Sequence, residues 1–317
     1  MNKNKLIDFY RKYGVLVILL IEIVIFSILS ENFRMLSTLM TIGRQVACTG
    51  IATVGAVFLM LTGGIDISNG SMLAFSGVVS AICCVKFGLP LPVAFSITVL
   101  LGAVFGAVNG IAFTRFRVSP LIATLAMQTI LKGIAYIITA AKPVYGISES
   151  FKFFGQGYVF GAVPFSLVLM LIFFVFGYWI LNHTYLGRHI YAVGGNAEAA
   201  RLCGIKTNRV YMFAFVASSV CAAFAGLIMA GRLGSGQPAI GTDFSMDVIT
   251  AIVLGGVDIS GGSGKITGVL FGVFIMGVLS TGMVMVGLND YWQWVIKGLV
   301  LLIAVALSNL KLDKEKD

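Results

Sequence analysis

A glycine-rich segment around Lys265, GGSGKIT, is the part of this sequence that comes nearest to a phosphate-binding loop. In such a loop, glycines bring backbone N–H groups close to the phosphates, and a lysine followed by serine or threonine completes the site. Here Ile266 follows the lysine, and Ile259 stands where the loop requires its first glycine. We therefore expect that the chain is not an enzyme and hydrolyses no ATP, so any ATP-driven step belongs to another polypeptide.

Side chains that commonly carry catalysis or bind metals are sparse. His183 and His189 are the only histidines of the sequence, and their spacing fits neither a metal site nor a catalytic triad. The cysteines are odd in number and lie in or beside apolar segments, which is typical of small buried hydrophobic residues. We expect no catalytic residue, no metal and no cofactor in this chain. The five cysteines are Cys48, Cys83, Cys84, Cys203 and Cys221.

Three ionisable residues fall inside long apolar segments, namely Glu22, Lys132 and Lys297. Carriers driven by a proton or sodium gradient place such residues inside the helix bundle, where the coupling ion binds. The two lysines can instead extend their alkyl chains toward the membrane surface. Glu22 lies in the middle of the first apolar segment, so an ion-coupled secondary transporter is the alternative function that the sequence leaves open.

The composition is that of a membrane protein. Of 317 residues, 58% are apolar and 11% are charged, against roughly 45–50% and about 25% in soluble domains. Most apolar runs are long enough for a helix to cross about 30 Å of hydrocarbon. We predict an all-α, polytopic integral membrane protein with about ten transmembrane helices in a single transmembrane domain, residues 1–317. The predicted spans are 14–30, 44–62, 70–87, 91–113, 119–140, 164–182, 210–231, 246–257, 266–286 and 290–309, of which the eighth is short.

The positive charges predict how the helices are oriented, because lysine and arginine collect on the cytoplasmic side of membrane proteins. With ten crossings, both termini share one side, and that side carries fourteen of these residues against six on the other. We therefore expect a cytoplasmic N-terminus (1–13), a cytoplasmic loop (183–209) and a cytoplasmic C-terminus (310–317). The net charge of +9 then reflects topology beside anionic lipid, and no nucleic-acid partner is expected.

Two similar segments interrupt apolar runs, TGGIDISNGS at 62–71 and LGGVDISGGS at 254–263. Paired, glycine-interrupted segments are typical of transporters built from repeated halves, so we predict an internal repeat. Six spans separate the copies, which gives parallel halves, whereas the halves are inverted if the eighth segment only re-enters. The sequence leaves both arrangements open. The aspartates of the two segments can cap half-helices or mark topology. The matched residues are Gly63 with Gly255, Gly64 with Gly256, and Asp66 with Asp258.

The loop LGRHIYAVGGNAEAARLCGIKTNRVY, residues 186–211, resembles the coupling loop of permeases of bacterial ABC importers for ribose, galactose, xylose and related sugars. Loops of this length in a compact bundle are usually functional or disordered. The similarity extends over nearly the whole chain. It includes Gln45, the break at 63–71, Ile122-Ala123-Thr124-Leu125, Gln237-Pro238, Asp247, Leu254-Gly255-Gly256, and Tyr291-Trp292-Gln293 with Lys297.

The resemblance implies a permease of the bacterial cytoplasmic (inner) membrane that moves a monosaccharide, with ribose as the expected sugar. Its partners would be a second permease copy, a cytoplasmic ABC ATPase that binds ATP and magnesium, and an extracytoplasmic sugar-binding protein. An ion-coupled secondary sugar transporter is the alternative. Small residues of the loop can form a short helix and turn that fit a groove of the ATPase. The expected contacts are Gly194, Gly195, Asn196, Glu198, Ala199, Ala200, Gly204 and Ile205.

A neutral sugar needs hydrogen-bonding groups and aromatic faces along its path, without a fixed charge. Affinity for the sugar is expected to reside in the separate binding protein. Many members of the family have a small or hydroxylated residue in place of Asp258, so its pairing with Asp66 rests on this sequence alone. The candidates for the substrate path, inside or beside the spans, are Gln45, Asn69, Phe75, Asn109, Gln128 and Gln237.

Overall fold

The computed structural model describes the backbone of residues 3–313 and the side chains of residues 14–306. This part of the chain folds into thirteen α-helices, one 3₁₀-helix (Glu31–Arg34) and four two-residue strands. The helices are α1 (Lys3–Leu29), α2 (Leu36–Leu61), α3 (Asn69–Val85), α4 (Leu91–Thr114), α5 (Pro120–Thr139), α6 (Glu149–Gln156), α7 (Phe165–His183), α8 (Tyr185–Gly195), α9 (Ala197–Leu202), α10 (Thr207–Leu233), α11 (Phe244–Leu254), α12 (Ile266–Met285) and α13 (Asp290–Asp313). The strands are β1 (Val144–Tyr145), β2 (Tyr158–Val159), β3 (Val163–Pro164) and β4 (Ser235–Gly236).

Each of the ten predicted spans coincides with a helix, which supports a polytopic, helical membrane protein. Among the described residues, six helices are long and apolar enough to cross a membrane, namely α2, α4, α5, α7, α10 and α12. The count of ten crossings stays a prediction, because α3 and α11 are shorter. Helix α2 begins at Leu36, eight residues before the start predicted for the second span at Arg44, and the guanidinium of Arg44 is hydrogen-bonded to Tyr158.

Helices α2 and α10 form the buried centre of the bundle. Gly55 of α2 lies so close to α10 that an added Cβ would overlap the carbonyl of Ala217. Further along α2, the ring of Phe58 lies 5.6 Å from that of Phe213, which comes earlier in α10. The two helices therefore run antiparallel, and the small residue between them allows the close packing on which helix association in lipid depends.

Helix α7 separates two structured loops at opposite ends of the bundle. Its 19 residues extend about 28 Å, with β3 before it and α8 after it. The connection between the predicted spans 119–140 and 164–182 contains β1, α6, β2 and the first residue of β3. Strand β1 pairs with β4 and β2 with β3, both antiparallel. Phe151 of α6 is fully buried, with its ring 5.3 Å from that of Phe95. We call this the cap end, and the end that carries α8 and α9 the coupling end.

Helices α3 and α11 begin next to each other inside the bundle. The Gly70 N–H donates a hydrogen bond to Ser245 Oγ at 2.9 Å, and the Ser245 hydroxyl donates to the carbonyl of Ile67 at 2.6 Å. Helix α11 has 11 residues and covers about 16 Å, roughly half of the hydrocarbon thickness. The segment predicted as a span at 246–257 is therefore a half-helix.

Candidate coupling site and translocation path

Helices α3 and α11 each adjoin a break, which we define as residues 62–68 for the first break and residues 255–265 for the second. The aspartate of each break makes the same local turn. Asp66 Oδ1 accepts the backbone N–H of Ser68 at 2.8 Å, and Asp258 Oδ1 accepts the N–H of Ser260 at 2.8 Å. The pairing of Asp66 with Asp258, inferred from the sequence, is thus matched by their hydrogen-bond geometry.

The glycines of the two breaks correspond with a shift of one residue. Helix α2 ends at Leu61, and the chain turns at Gly63 with φ 82°. Helix α11 ends at Leu254, and the chain turns at Gly256 with φ 82°. Because such a left-handed residue ends a helix and favours glycine, Gly63 is the structural counterpart of Gly256. In the sequence match, which pairs Asp66 with Asp258, these two left-handed glycines are one position apart.

The two breaks meet each other and the end of α8 through backbone groups. The Gly262 N–H donates to the carbonyl of Leu61 at 2.9 Å. Gly261 lies against the backbone of Gly63, and an added Cβ at Gly194 would overlap both Leu61 and Gly262. We call these five residues the glycine junction. Because no side chain separates the backbones there, α8 packs directly on the end of α2 and on the second break.

A tyrosine of α8 adds a side-chain contact to this junction. The Tyr191 hydroxyl donates to the carbonyl of Gly264 in the second break at 3.0 Å. Burial raises the pKa of Tyr191 above its ordinary value, so the hydroxyl keeps the proton that it donates. Helix α8 is therefore held to the second break both through backbone packing and through this hydrogen bond.

The residues predicted to contact an ATPase divide into an inward and an outward group. Asn196 begins α9, where its Oδ1 accepts the N–H of Ala199 at 2.9 Å, and Gly204, with φ 86°, follows the end of α9. A side chain at Gly195 would meet nothing within 4 Å. The inward group is Gly194, Ala200 and Ile205, and the outward group is Gly195, Asn196, Glu198, Ala199 and Gly204.

The structure adds two residues to this outward surface that the sequence did not single out. Leu202 of α9 is 78% exposed, which is unusual for a leucine at the end of a polar loop. Arg201 forms an ion pair with Glu198 at 2.6 Å, one helical turn apart. Leu202 and the small residues beside it form a surface that a partner can bury. The signal for Leu202 in the sequence was an apolar residue within a polar loop.

The first break contains a buried polar cluster around Asp66. Its Oδ2 accepts the hydroxyl of Ser218 at 2.7 Å, and its backbone carbonyl accepts the Asn69 side-chain amide at 3.0 Å. The Ile67 N–H donates to Thr124 Oγ1 at 3.3 Å. Ser218 lies on α10 about 16 Å from the residue at which this helix begins. The cluster therefore joins the first break to α5 and α10 deep in the bundle. Asn69, which was predicted to line the substrate path, is part of this hydrogen-bonded cluster.

The other candidates for the substrate path do not come together. Gln45 Oε1 accepts the Thr281 hydroxyl at 3.2 Å. Phe75 lies in a separate apolar cluster, and Gln237 donates to Ser235 within its own loop at 3.1 Å. Asn109 is buried, with no partner for its Nδ2 among the described residues, and Gln128 is half-buried. The six residues predicted to line the path therefore occupy several parts of the bundle.

An ion pair lies beside Gln45 that the sequence did not predict. Lys297 Nζ of α13 is 2.8 Å from Asp247 Oδ2 of α11, and both side chains are largely buried, with 19% and 23% exposure. A small cavity next to this pair is bordered by Gln45, Thr49 and Ser280 as well as by Asp247. Lys297 was expected to extend toward the membrane surface, and it instead neutralises a carboxylate inside the bundle because charge burial without a partner is costly.

The remaining ionisable residues of the apolar segments are isolated. Lys132 is exposed on α5. Glu22 is partly buried on α1, and its Oε2 has no hydrogen-bond partner among the described residues. The described part of the chain also contains no cluster of three or more histidine, cysteine, aspartate or glutamate side chains able to hold a metal.

Long apolar helices, two shorter apolar helices beside glycine breaks and an exposed small-residue helix at one end together define a polytopic membrane permease. The chain belongs to the family described as "Branched-chain amino acid transport system / permease component", whose model matches residues 14–305. Together with the relatives below, this membership confirms the resemblance to permeases of ABC sugar importers that the coupling loop indicated.

Several sugar permeases are similar over almost the entire chain. The ribose import permease protein RbsC of Escherichia coli K12 is 40% identical over 300 residues, which cover 93% of each chain. RbsC of Bacillus subtilis 168 is 39% identical, with 95% of this chain and 94% of the relative covered. The galactose/methyl galactoside import permease protein MglC of E. coli K12 is 33% identical, with 100% and 99% covered. No solved structure matches the chain significantly.

Proposed function

We propose that this chain is the permease subunit of an ATP-driven importer of a monosaccharide, with ribose as the expected sugar. The observation that carries the proposal is the junction at the coupling end, where the exposed α9 adjoins α8 and α8 touches the end of α2 and the second break. Relatives of 33–40% identity are named import permeases for ribose or galactose. The description of the family names branched-chain amino acids, so the substrate must be tested against both classes.

The proposed partners follow from the division of the coupling end. A cytoplasmic ATPase, which binds ATP and magnesium, would cover the outward residues Gly195, Glu198, Ala199 and Leu202, which are exposed in this chain. A second permease copy and an extracytoplasmic sugar-binding protein complete the importer. In this proposal the permease itself supplies no catalytic residue, and the ATPase performs the hydrolysis.

The orientation follows from the charges. The coupling end would face the cytoplasm, because Arg188, Arg201, Lys206 and Arg209 lie in or beside α8 and α9. Both termini would then be cytoplasmic and the cap end would face outward, in a bacterial cytoplasmic membrane. The contact between the two breaks at the coupling end supports ten crossings in which both copies of the repeat run in the same sense.

The mechanism derives from the order of contacts. Closure of the ATPase moves α9 and α8, and the glycine junction passes this displacement to the end of α2 at Leu61 and to the second break at Gly262. The breaks adjoin α3 and α11, whose first turns are joined through Gly70 and Ser245. A shift of these two helices changes which end of the bundle is open, which is alternating access.

The direct test is uptake by proteoliposomes that contain this chain, its ATPase and its binding protein. Labelled D-ribose should accumulate only when ATP is present on the side of the membrane to which the ATPase is bound. Unlabelled L-leucine should not compete with D-ribose for uptake. Competition by L-leucine would identify an amino-acid importer. Accumulation driven by a proton or sodium gradient without ATP would instead establish the ion-coupled secondary sugar transporter.

A further inference from the structure

A cavity of about 390 Å³ lies at the cap end between α2, α6 and α10. The residues that line it have polar or charged side chains and come from three different elements, with Thr41 and Arg44 on α2, Gln156 on α6 and Arg232 on α10. Cavities of about 300–1,000 Å³ are the usual size for small-molecule sites. The volume is sufficient for a monosaccharide.

Arg44 is held in place but retains hydrogen-bonding capacity. Its Nη2 donates to the Tyr158 hydroxyl, and its guanidinium lies 4.9 Å from the centre of the Tyr158 ring. Its Nε is buried and has no partner among the described residues. Because an unpaired buried donor is costly, this N–H is expected to find an acceptor in a ligand.

The rest of the lining provides both donors and acceptors. The Arg232 guanidinium makes no ion pair or side-chain hydrogen bond with the described residues. The Gln156 amide donates to the carbonyl of Arg232 at 3.0 Å, which leaves Gln156 Oε1 as an acceptor. The Thr41 hydroxyl donates to Ser37 at 2.9 Å and can still accept. The cavity thus combines two guanidinium donors with two acceptors.

We propose that this cavity is a sugar-binding vestibule, in which a monosaccharide is held through its hydroxyl groups by Arg44, Arg232, Gln156 and Thr41. A sugar hydroxyl both donates and accepts hydrogen bonds, so it satisfies guanidinium and carbonyl partners together. A carboxylate from an acidic side chain would match the two arginines but cannot donate to Gln156 or Thr41. The mixed lining therefore favours the sugar.

The position of the vestibule agrees with such a role. It lies at the end opposite to α8 and α9, which is where a binding protein would release sugar if the proposed function holds. The site is rigid, since Gly155 of α6 packs on the backbone of Arg232 and Gly231 lies against Phe151. The vestibule also revises the expectation that the sugar path is free of fixed charge.

The test uses the full-length chain in lipid nanodiscs, without ATPase or binding protein, and saturation-transfer NMR with D-ribose and D-galactose. Saturable transfer is expected for at least one of these sugars. Arg44→Gln and Arg232→Gln should each raise its Kd about tenfold or more, since hydrogen bonds to charged groups are strong. Arg34→Gln removes an exposed arginine outside the cavity and should leave Kd unchanged.

Sodium acetate serves as the carboxylate probe and sodium chloride as its ionic-strength control. Acetate binding that is lost in Arg232→Gln, without any sugar binding, would overturn the proposal and assign the cavity to an acidic side chain of a partner. Sugar binding with equal Kd in both arginine variants would place the sugar elsewhere. Thr41→Val, which keeps the Arg44–Tyr158 contact, replaces Arg44→Gln if that variant unfolds, and it too should weaken sugar binding. ATP-dependent uptake is measured separately, so failure of the vestibule and failure of the importer proposal are distinguishable.

Discussion

The Gly262 N–H donates a hydrogen bond of 2.9 Å to the carbonyl of Leu61, which joins two chain segments that are about 200 residues apart in sequence. This bond brings the end of α2 and the second break together beneath the end of α8. Gly194 of the inward group packs on this contact, whereas the outward group faces away from it, so single substitutions can separate the two groups.

Gly195→Arg is expected to abolish binding of the ATPase while leaving the fold intact. A Cβ added at this position meets nothing within 4 Å in the chain and the residue is exposed, so the arginine can extend outward into the space that a docked partner would fill. Co-purification of the ATPase with the permease should be lost, and the Tm of the isolated permease should change little. Stable co-purification of this variant would contradict the assignment of the ATPase surface.

The neighbouring Gly194→Ala is the matched variant. Its Cβ would overlap Leu61 and Gly262, so the junction must open even though the outward surface is unchanged. We expect a lower Tm and ATP hydrolysis that no longer responds to sugar-loaded binding protein, with the ATPase still attached. A normal response of the ATPase would show that the junction does not transmit the movement.

Tyr191→Phe removes the hydrogen bond to Gly264 without changing the ring. The loss should be about 1 kcal/mol of unfolding free energy. Burial raises the folded-state pKa of Tyr191, so the native chain holds this proton more tightly than the unfolded chain. The stabilisation is therefore present below about pH 10, the ordinary tyrosine pKa, and declines as pH rises above it. Thermal unfolding from pH 7 to pH 11 should show this decline in the wild type and less of it in the variant.

Asp66 and Asp258 make the same turn in different surroundings, which allows a matched pair of substitutions. Asp66→Ala leaves the buried hydroxyl of Ser68 without its acceptor and leaves that of Ser218 only the longer bond to Asn69 Oδ1 at 3.2 Å, and an unsatisfied buried group costs about 1–3 kcal/mol. Asp258→Ala removes an exposed bond to Ser260 and should cost less than about 1 kcal/mol. Tm values of the purified variants test this order.

Equal shifts for the two variants would contradict the difference in burial. Ser218→Ala is the second measurement, because it removes one donor and leaves the Asp66 turn with Ser68 intact. It should lower the Tm by less than Asp66→Ala does.

The sequence predicted the helical, polytopic fold and the coupling loop from composition and pattern, because long apolar runs have few alternatives in lipid. It placed the start of α2 too late, since an arginine such as Arg44 counts against a span unless its partner is known. Tyr158 is that partner, and it lies 114 residues away in sequence. Pairing at such a distance depends on the tertiary fold and leaves no local signal.

Contacts between residues far apart in sequence also explain why the substrate path was not predictable. Gln45 and Asp247 were recognised from the resemblance, yet the contacts of Gln45 with Thr281 and of Asp247 with Lys297 connect different helices. The one-position difference between the left-handed glycines Gly63 and Gly256 was also not predictable, because a match of residue types carries no information about the backbone angle φ. Local pattern thus predicted the elements, and tertiary packing decided which side chains meet.

Lys297→Met and Asp247→Asn should each destabilise the bundle more than the double variant does. Removing one partner leaves a largely buried charge unpaired, whereas removing both leaves none, and breaking a buried pair costs about 3–5 kcal/mol. The Tm of the double variant should therefore lie above those of both single variants. A double variant that is less stable than either single variant would show that the two side chains act independently.

Glu22→Gln separates the importer from the ion-coupled carrier. Glu22 lies on α1 between Leu19 and Phe26, which are both buried, and Phe26 packs on Gly282 of α12. The residue thus sits on the inner face of α1, where a coupling carboxylate would be placed, but Oε2 has no partner among the described residues.

If ATP hydrolysis drives transport, the isosteric amide of Glu22→Gln should support ATP-dependent D-ribose uptake within about twofold of the wild type, a change worth less than about 0.5 kcal/mol. Glu22→Leu should raise the Tm, because it removes a buried polar atom without a hydrogen bond. Loss of uptake in Glu22→Gln, with ATP hydrolysis and ATPase binding intact, would mean that the carboxyl group carries an ion with the sugar.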